Sequence, residues 1–226
     1  DTAMPTITIL NQKGGVGKTA TAVNLSAALA RAGYRVGLID LDPQAHASLH
    51  LGLDPTSGQP TTYDLLTGPV ELADVWQEVA PRLQVAGSHI DLAAAEVELA
   101  GVVGREVILR DKLAAHQDQF EYLLIDCPPS LGVLTLNAMA AVDDILLPLQ
   151  PHFLALHGLS KLLETIRLVV TRINDRLRLT GVVFCLFDTG TRLAAEVADD
   201  AGAFFAEARG KDLPWSDAYR FDTHIR

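Results

Sequence analysis

The chain has 226 residues, of which 49% are apolar and 20% charged, enough to bury a sizeable core and too hydrophobic for a disordered chain. Its formal net charge of -10 argues against a uniformly basic nucleic-acid surface. With only Cys127 and Cys185 there is no disulfide framework, so a reducing cytoplasm is expected.

The charge is uneven: residues 1–158 hold 8 Lys/Arg against 18 Asp/Glu, whereas residues 159–226 hold 10 of each. An anionic partner is therefore expected to meet the C-terminal third. No apolar run approaches the ~18 residues needed to span a bilayer, and no membrane insertion is expected. "DTA" before Met4 reads as an expression scar on a single domain covering 1–226.

In chain order, the β-branched run "TITIL" (Thr6–Leu10) leads into "NQKGGVGKTA" (Asn11–Ala20). Apolar residues at Val23, Leu25, Ala28 and Leu29 then predict a helix stopped by Gly33. "RVGLID" (Arg35–Asp40) is a second strand, "GLDPTSGQPTT" (Gly52–Thr62) a long loop, and "LQVAG" (Leu83–Gly87) a weaker strand. Further strands are expected at "YLLID" (Tyr122–Asp126), "DILLPLQ" (Asp144–Gln150) and "GVVFCLF" (Gly181–Phe187). Helical patterns lie over Gly104–His116, Gly132–Ala141, Leu156–Leu177 and Thr191–Ala208. Strands alternating with helices predict an α/β fold of P-loop NTPase type: a mainly parallel twisted sheet with helices on both faces.

In such sheets ligands bind beyond the carboxyl ends of the strands. Gly17, Lys18 and Thr19 complete the pattern G-x-x-x-x-G-K-[ST], yet Gln12 stands where its first glycine belongs and Lys13 follows at once. Gly14, Gly15, Val16 and Gly17 let backbone N–H groups approach phosphate oxygens, and the helix that follows, opening with Lys18, Thr19 and Ala20, adds its positive end. Lys18 is expected on the β- and γ-phosphates and the Thr19 hydroxyl on Mg²⁺. "DLDPQ" offers Asp40 and Asp42, which share a face if the strand persists; one suits the metal's hydration, the other the attacking water. Asp126, closing four apolar residues, has the Walker B arrangement for Mg²⁺. His46 and His50 stand one helical turn apart with no third ligand in view, and Cys127 reads as a small buried apolar residue.

"KGGVGKT", "LIDLDPQ", "YLLIDCPPSLGVLTLNAMAAVDDILLPLQ", "LHGLSKLLETI" and "FDTGTRLAAEV" together resemble the ParA/MinD family of deviant Walker-A ATPases, in its ParA/Soj partition branch. The resemblance covers residues 5–226 nearly end to end. It departs from the family at Ala45 and His46 in "DPQAH" and at Gly190. It implies ATP and ADP as ligands with Mg²⁺, and a homodimer in which Lys13 reaches the partner's nucleotide while Asp42 acts on the attacking water. It also implies nonspecific DNA binding by C-terminal basic residues, here Arg192, Arg220 and Arg226, and a ParB-like or other cargo-adaptor protein that stimulates hydrolysis. The expected place is the bacterial cytoplasm, on the nucleoid. The resemblance further implies a chain that continues past "FDTHIR" into an adenine-contacting segment and a final helix. A MinD-like membrane-surface ATPase is the alternative; it requires a C-terminal amphipathic helix.

Overall fold

The computed structural model describes residues 4–116, 119–151, 155–187 and 192–225. The first half runs β1 (Thr6–Ile9), α1 (Lys18–Arg31), β2 (Val36–Asp40), α2 (His46–His50), α3 (Thr62–Thr67), α4 (Leu72–Val75), β3 (Trp76–Ala80) and β4 (Leu83–Ala86). The second runs α5 (Leu92–Glu98), α6 (Ile108–Leu113), β5 (Tyr122–Asp126), α7 (Val133–Ala141), β6 (Asp144–Leu149), α8 (Ala155–Arg172), β7 (Arg178–Cys185), α9 (Arg192–Ala208) and β8 (Tyr219–Ile225).

The eight strands form one sheet in the order β3-β4-β2-β5-β1-β6-β7-β8. Every neighbouring pair is parallel except β3 with β4. The apolar runs of the inner strands follow from burial on both faces. Within β5, Leu123 and Ile125 join the core shared with Leu109, Leu134, Leu162 and Ile166, while Leu124 faces the opposite core with Ile9, Ala22, Val36 and Leu38. Successive side chains of a strand point to opposite faces, so α6, α7 and α8 cover one side and α1 the other.

Six strands fall where the sequence places them, and two do not. The antiparallel edge strand β3 reads "WQEVA", too polar for a strand buried on both faces. Arg82 at φ 67 turns the chain straight back into β4. The exposed edge strand β8 alternates Tyr219, Phe221, Thr223 and Ile225 with polar residues, a period-2 pattern the reading passed over. The expected helix from Gly104 starts only at Ile108, because Gly104 sits at φ 77. α8 stops at Arg172 because Asn174 turns away, its amide donating to Met139 O at 3.0 Å and Val142 O at 2.6 Å. The Gly52–Thr62 segment is irregular as expected, ending in a capping box of Thr61 with Asp64.

Candidate functional site

The sheet order puts β1 between β5 and β6 with β2 beyond β5, so four strand ends open onto one place. The register sets the chemistry there. Ile9 pairs with Asp126, and Asp126 with Asp40. Paired residues of parallel strands point the same way, and adjacent strands lie ~4.8 Å apart. Two carboxylates thus stand side by side at the carboxyl end of the sheet.

The Gly14–Thr19 loop follows β1. Gly15 at φ 70 and Gly17 at φ 87 take the left-handed backbone that L side chains avoid. Gly17 is also where the loop crosses β7: a Cβ there would stand 3.1 Å from Cys185 Sγ. Asn11 ties the loop's entry to β6. Its Nδ2 donates to Pro148 O at 2.7 Å, and its Oδ1 accepts from Lys13 N–H at 3.0 Å. Lys18 is buried (6% exposed) and its Nζ donates to Lys13 O at 3.0 Å, spanning the loop from within. Burial lowers its pKa, with Asp126, Asp42 and Cys127 pulling it back up. Lys13 is exposed, its Nζ donating to Gln150 Oε1 at 3.3 Å.

The three acids differ in their surroundings. Asp40 is fully buried and both its oxygens are engaged: Oδ1 accepts from Asp42 N–H at 3.1 Å, and Oδ2 from Ser48 N–H at 2.9 Å and Ser48 Oγ at 2.7 Å. Its pKa is pushed up to about 6 by burial, against the Ser48 and Asp42 hydrogen bonds. Asp126 is equally buried, but neither carboxylate oxygen completes a hydrogen bond of ordinary geometry among the described residues. Burial first and Asp40 next push its pKa up to about 8; the nearby Thr19 hydroxyl and Lys18 ammonium pull the other way. A buried carboxyl without partners is costly. A divalent cation is the group that would turn this cost into a bond, so the residues present fit a cation at Asp126, with the half-buried Thr19 beside it.

Asp42 does not share a strand face with Asp40. β2 ends at Asp40, and Asp42 lies in the following turn with its Oδ1 accepting from Gln44 N–H at 2.9 Å. The alternation rule holds only inside a strand, so the expected common face is lost. Asp42 still stays in the site, 7% exposed and within electrostatic reach of Lys18, Asp40 and Asp126.

The described basic residues expected to meet an anionic partner stand on α9 and β8. Arg192 is 92% exposed at the start of α9 and pairs with Glu196 at 2.8 Å. Arg220 on β8 donates to Ala198 O at 3.2 Å and approaches Asp199 at 3.8 Å, beside a cavity of about 310 Å³ that Asp222 also lines. Arg226 and Gly190 lie outside the described residues. His46 and His50 are exposed, and no group of three His, Cys, Asp or Glu suited to a metal ion occurs among the described residues. Cys127 is buried as expected, its thiol pushed up to about 12 by burial and 3.1 Å from Thr8 Oγ1.

Sequence reasoning passed over Asn11, Ser48, Gln150 and Cys185. Only Asn11, an amide at the mouth of a glycine loop, carried a local signal; the others arrive from distant elements.

The chain matches the AAA domain family over residues 4–179. The sporulation initiation inhibitor protein Soj of Bacillus subtilis is 42% identical over 202 residues, 89% of this chain and 80% of that protein. The chromosome partitioning protein ParA of Caulobacter vibrioides is 47% identical over 205 residues, 89% of this chain and 76% of that one. Among solved structures, cobyrinic acid a,c-diamide synthase from Mycobacterium smegmatis with bound ATP analogue and magnesium superposes with a TM-score of 0.85 at 37% identity, covering 93% of this chain and 84% of that one. Glycine loop, paired strand-end acids and overall identity agree: the chain belongs to the ParA/Soj branch of the ParA/MinD family of deviant Walker-A P-loop ATPases.

Proposed function

We propose that the chain is an ATP-dependent dimerisation switch that binds DNA without sequence preference and hydrolyses ATP to segregate or position a chromosome, plasmid or protein cargo. The observation that carries this reading is Asp126, whose two buried oxygens complete no hydrogen bond of ordinary geometry among the described residues and stand beside Lys18 and Thr19. That is a place for a phosphate-bound cation, and the relatives at 42% and 47% identity bear the names of proteins of sporulation control and chromosome partitioning.

In this reading the Gly14–Ala20 amides cradle the phosphates of ATP or ADP, and Lys18 leaves Lys13 O for the β- and γ-phosphates. Thr19 and Asp126 would hold Mg²⁺, with Asp40 beside Asp126 in the same acidic row. When bound, the metal neutralises phosphate charge. Asp42 orients the attacking water. The Lys13 side chain, exposed and donating to Gln150 Oε1 at 3.3 Å, swings across a two-fold interface to the partner's nucleotide. Arg192, Arg220 and Arg226 contribute to the DNA surface, and a ParB-like or other cargo-adaptor protein triggers turnover. No helix among the described residues is long and apolar enough to cross a membrane.

Light scattering with ATP and Mg²⁺ tests the switch. Lys13→Ala should bind nucleotide yet stay monomeric, and Asp42→Ala should dimerise and persist without turnover. A Lys13→Ala protein that dimerised normally would remove the trans role. The 37% identity to a diamide synthase favours a second reading, an ATP-using synthase. Its turnover would require a small-molecule acceptor and ignore DNA.

A further inference from the structure

Ser48 lies in a five-residue helix, fully buried, and touches neither the glycine loop nor Asp126 by hydrogen bond. It is nonetheless the junction of three chain segments. Its Oγ donates to Asp40 Oδ2 at 2.7 Å, and its N–H donates to the same oxygen at 2.9 Å. Its Oγ in turn accepts from Ser88 N–H at 2.9 Å, just beyond β4. The other Asp40 oxygen accepts from Asp42 N–H at 3.1 Å. One continuous path therefore runs from the end of β4 through Ser48 and Asp40 to the backbone of Asp42.

The local sequence explains the arrangement. Ala45, at the N-cap of α2 with φ 54, has no side chain with which to cap the helix. Helix N-termini leave donors unsatisfied unless a side-chain oxygen accepts them. Asp40, five residues earlier and on a strand, supplies that oxygen. Because Asp40 is committed to α2 and to the Asp42 amide, it works as a brace between them, and Ser48 is what holds the brace in its rotamer.

We propose that Ser48 is a positioning residue for hydrolysis: it fixes Asp40, and through Asp40 the turn that sets the Asp42 carboxylate toward the attacking water. The inference rests on the role given to Asp42 above. Removing the hydroxyl takes one donor from Asp40 and the acceptor from Ser88, so the Asp42 turn loosens while the glycine loop and Asp126 keep their own supports. Ser48 thus acts on the chemical step and leaves nucleotide affinity alone.

The test is single-turnover ATP hydrolysis and calorimetric nucleotide binding on the intact protein with Mg²⁺. The variants are Ser48→Ala, Ser48→Thr, Asp42→Ala and the Ser48→Ala/Asp42→Ala double. Ser48→Ala should lose roughly ten- to a hundredfold in the hydrolysis rate, as small misplacements of reacting groups do, with Kd within about threefold of the parent. Ser48→Thr, which keeps the hydroxyl, should recover most of the rate. The double variant should bind ATP and persist as a dimer like Asp42→Ala, because Ser48 acts through Asp42. A Ser48→Ala protein at the parental rate, beside an inactive Asp42→Ala, overturns this inference alone. So does a loss shared equally between rate and affinity, or a Ser48→Thr protein as slow as Ser48→Ala. An Asp42→Ala protein that still hydrolyses ATP overturns the role of Asp42 and this inference with it.

Discussion

Asp126→Asn should make the nucleotide-free protein more stable, by an amount that grows with pH. The Asp126 carboxyl sits at 0% exposure with a pKa of about 8 in the fold against an ordinary 3.8. A group whose folded pKa is raised binds its proton more tightly in the native state. Stability is therefore greatest below the unfolded pKa, near 4, and is lost as pH rises toward about 8. Each pKa unit corresponds to ~1.4 kcal/mol, so the full gap of about four units would be ~5–6 kcal/mol at pH 8. Sharing the proton with Asp40 and local relaxation reduce this to an expected ~2–3 kcal/mol. Asparagine keeps the shape and cannot ionise. The variant should match the parent near pH 4.5 and exceed it at pH 8 by ~2–3 kcal/mol, or ~5–10 °C in Tm for a chain of this size. A residual slope between pH 4 and 6 should remain from Asp40, whose pKa is about 6. Urea unfolding of the ligand-free protein from pH 4.5 to 8.5 measures the difference. An Asp126→Asn protein equal to or weaker than the parent at pH 8 would refute the reasoning, because it would mean that the carboxylate is already satisfied. With Mg²⁺ and ATP present the order should reverse, since the parent, which keeps the carboxylate for the cation, gains more binding stabilisation than the variant.

Lys18→Ala should abolish Mg-ATP and Mg-ADP binding by calorimetry, and affinity retained within about threefold would end the phosphate-loop assignment. Gly17→Ala puts a Cβ on a left-handed residue and 3.1 Å from Cys185 Sγ, so it should lower stability by ~1–2 kcal/mol in a thermal melt. Adding Cys185→Ala should return only the contact part of that loss. DNA retention should require ATP, ignore sequence, and fall with salt on a slope of about -0.9 per phosphate contact. Arg192→Glu should weaken retention without changing ATP affinity.

Much of the site was legible because its chemistry is written in contiguous residues. A glycine loop needs its glycines and lysine adjacent, and an acid after four apolar residues marks a strand end whatever surrounds it. The inner strands were legible because burial on both faces demands unbroken apolar runs. The rest depends on where segments meet. Whether Asp42 faces with Asp40 turned on β2 running on to Asp42, and it stops at Asp40. Ser48 carries no motif, and its meeting with Ser88 arises only when α2 folds back over β4. Edge strands β3 and β8 escaped notice because they need only one satisfied side, so their sequences stay mixed. Arg220 looked like a free cation in sequence, and the fold gives it a carbonyl and an aspartate.

The pairing of Asp40 with Asp126 is a property of the β2–β5 ladder, and that ladder joins segments with much of the chain between them. Such non-local pairings form late, because loop closure must precede them. On the ribosome the first acid and the glycine loop emerge well before the strand that carries Asp126. A nascent chain therefore cannot use nucleotide as a folding aid until most of the sheet exists. With Asp126 in the role proposed for it, truncated or misregistered chains stay outside the nucleotide cycle.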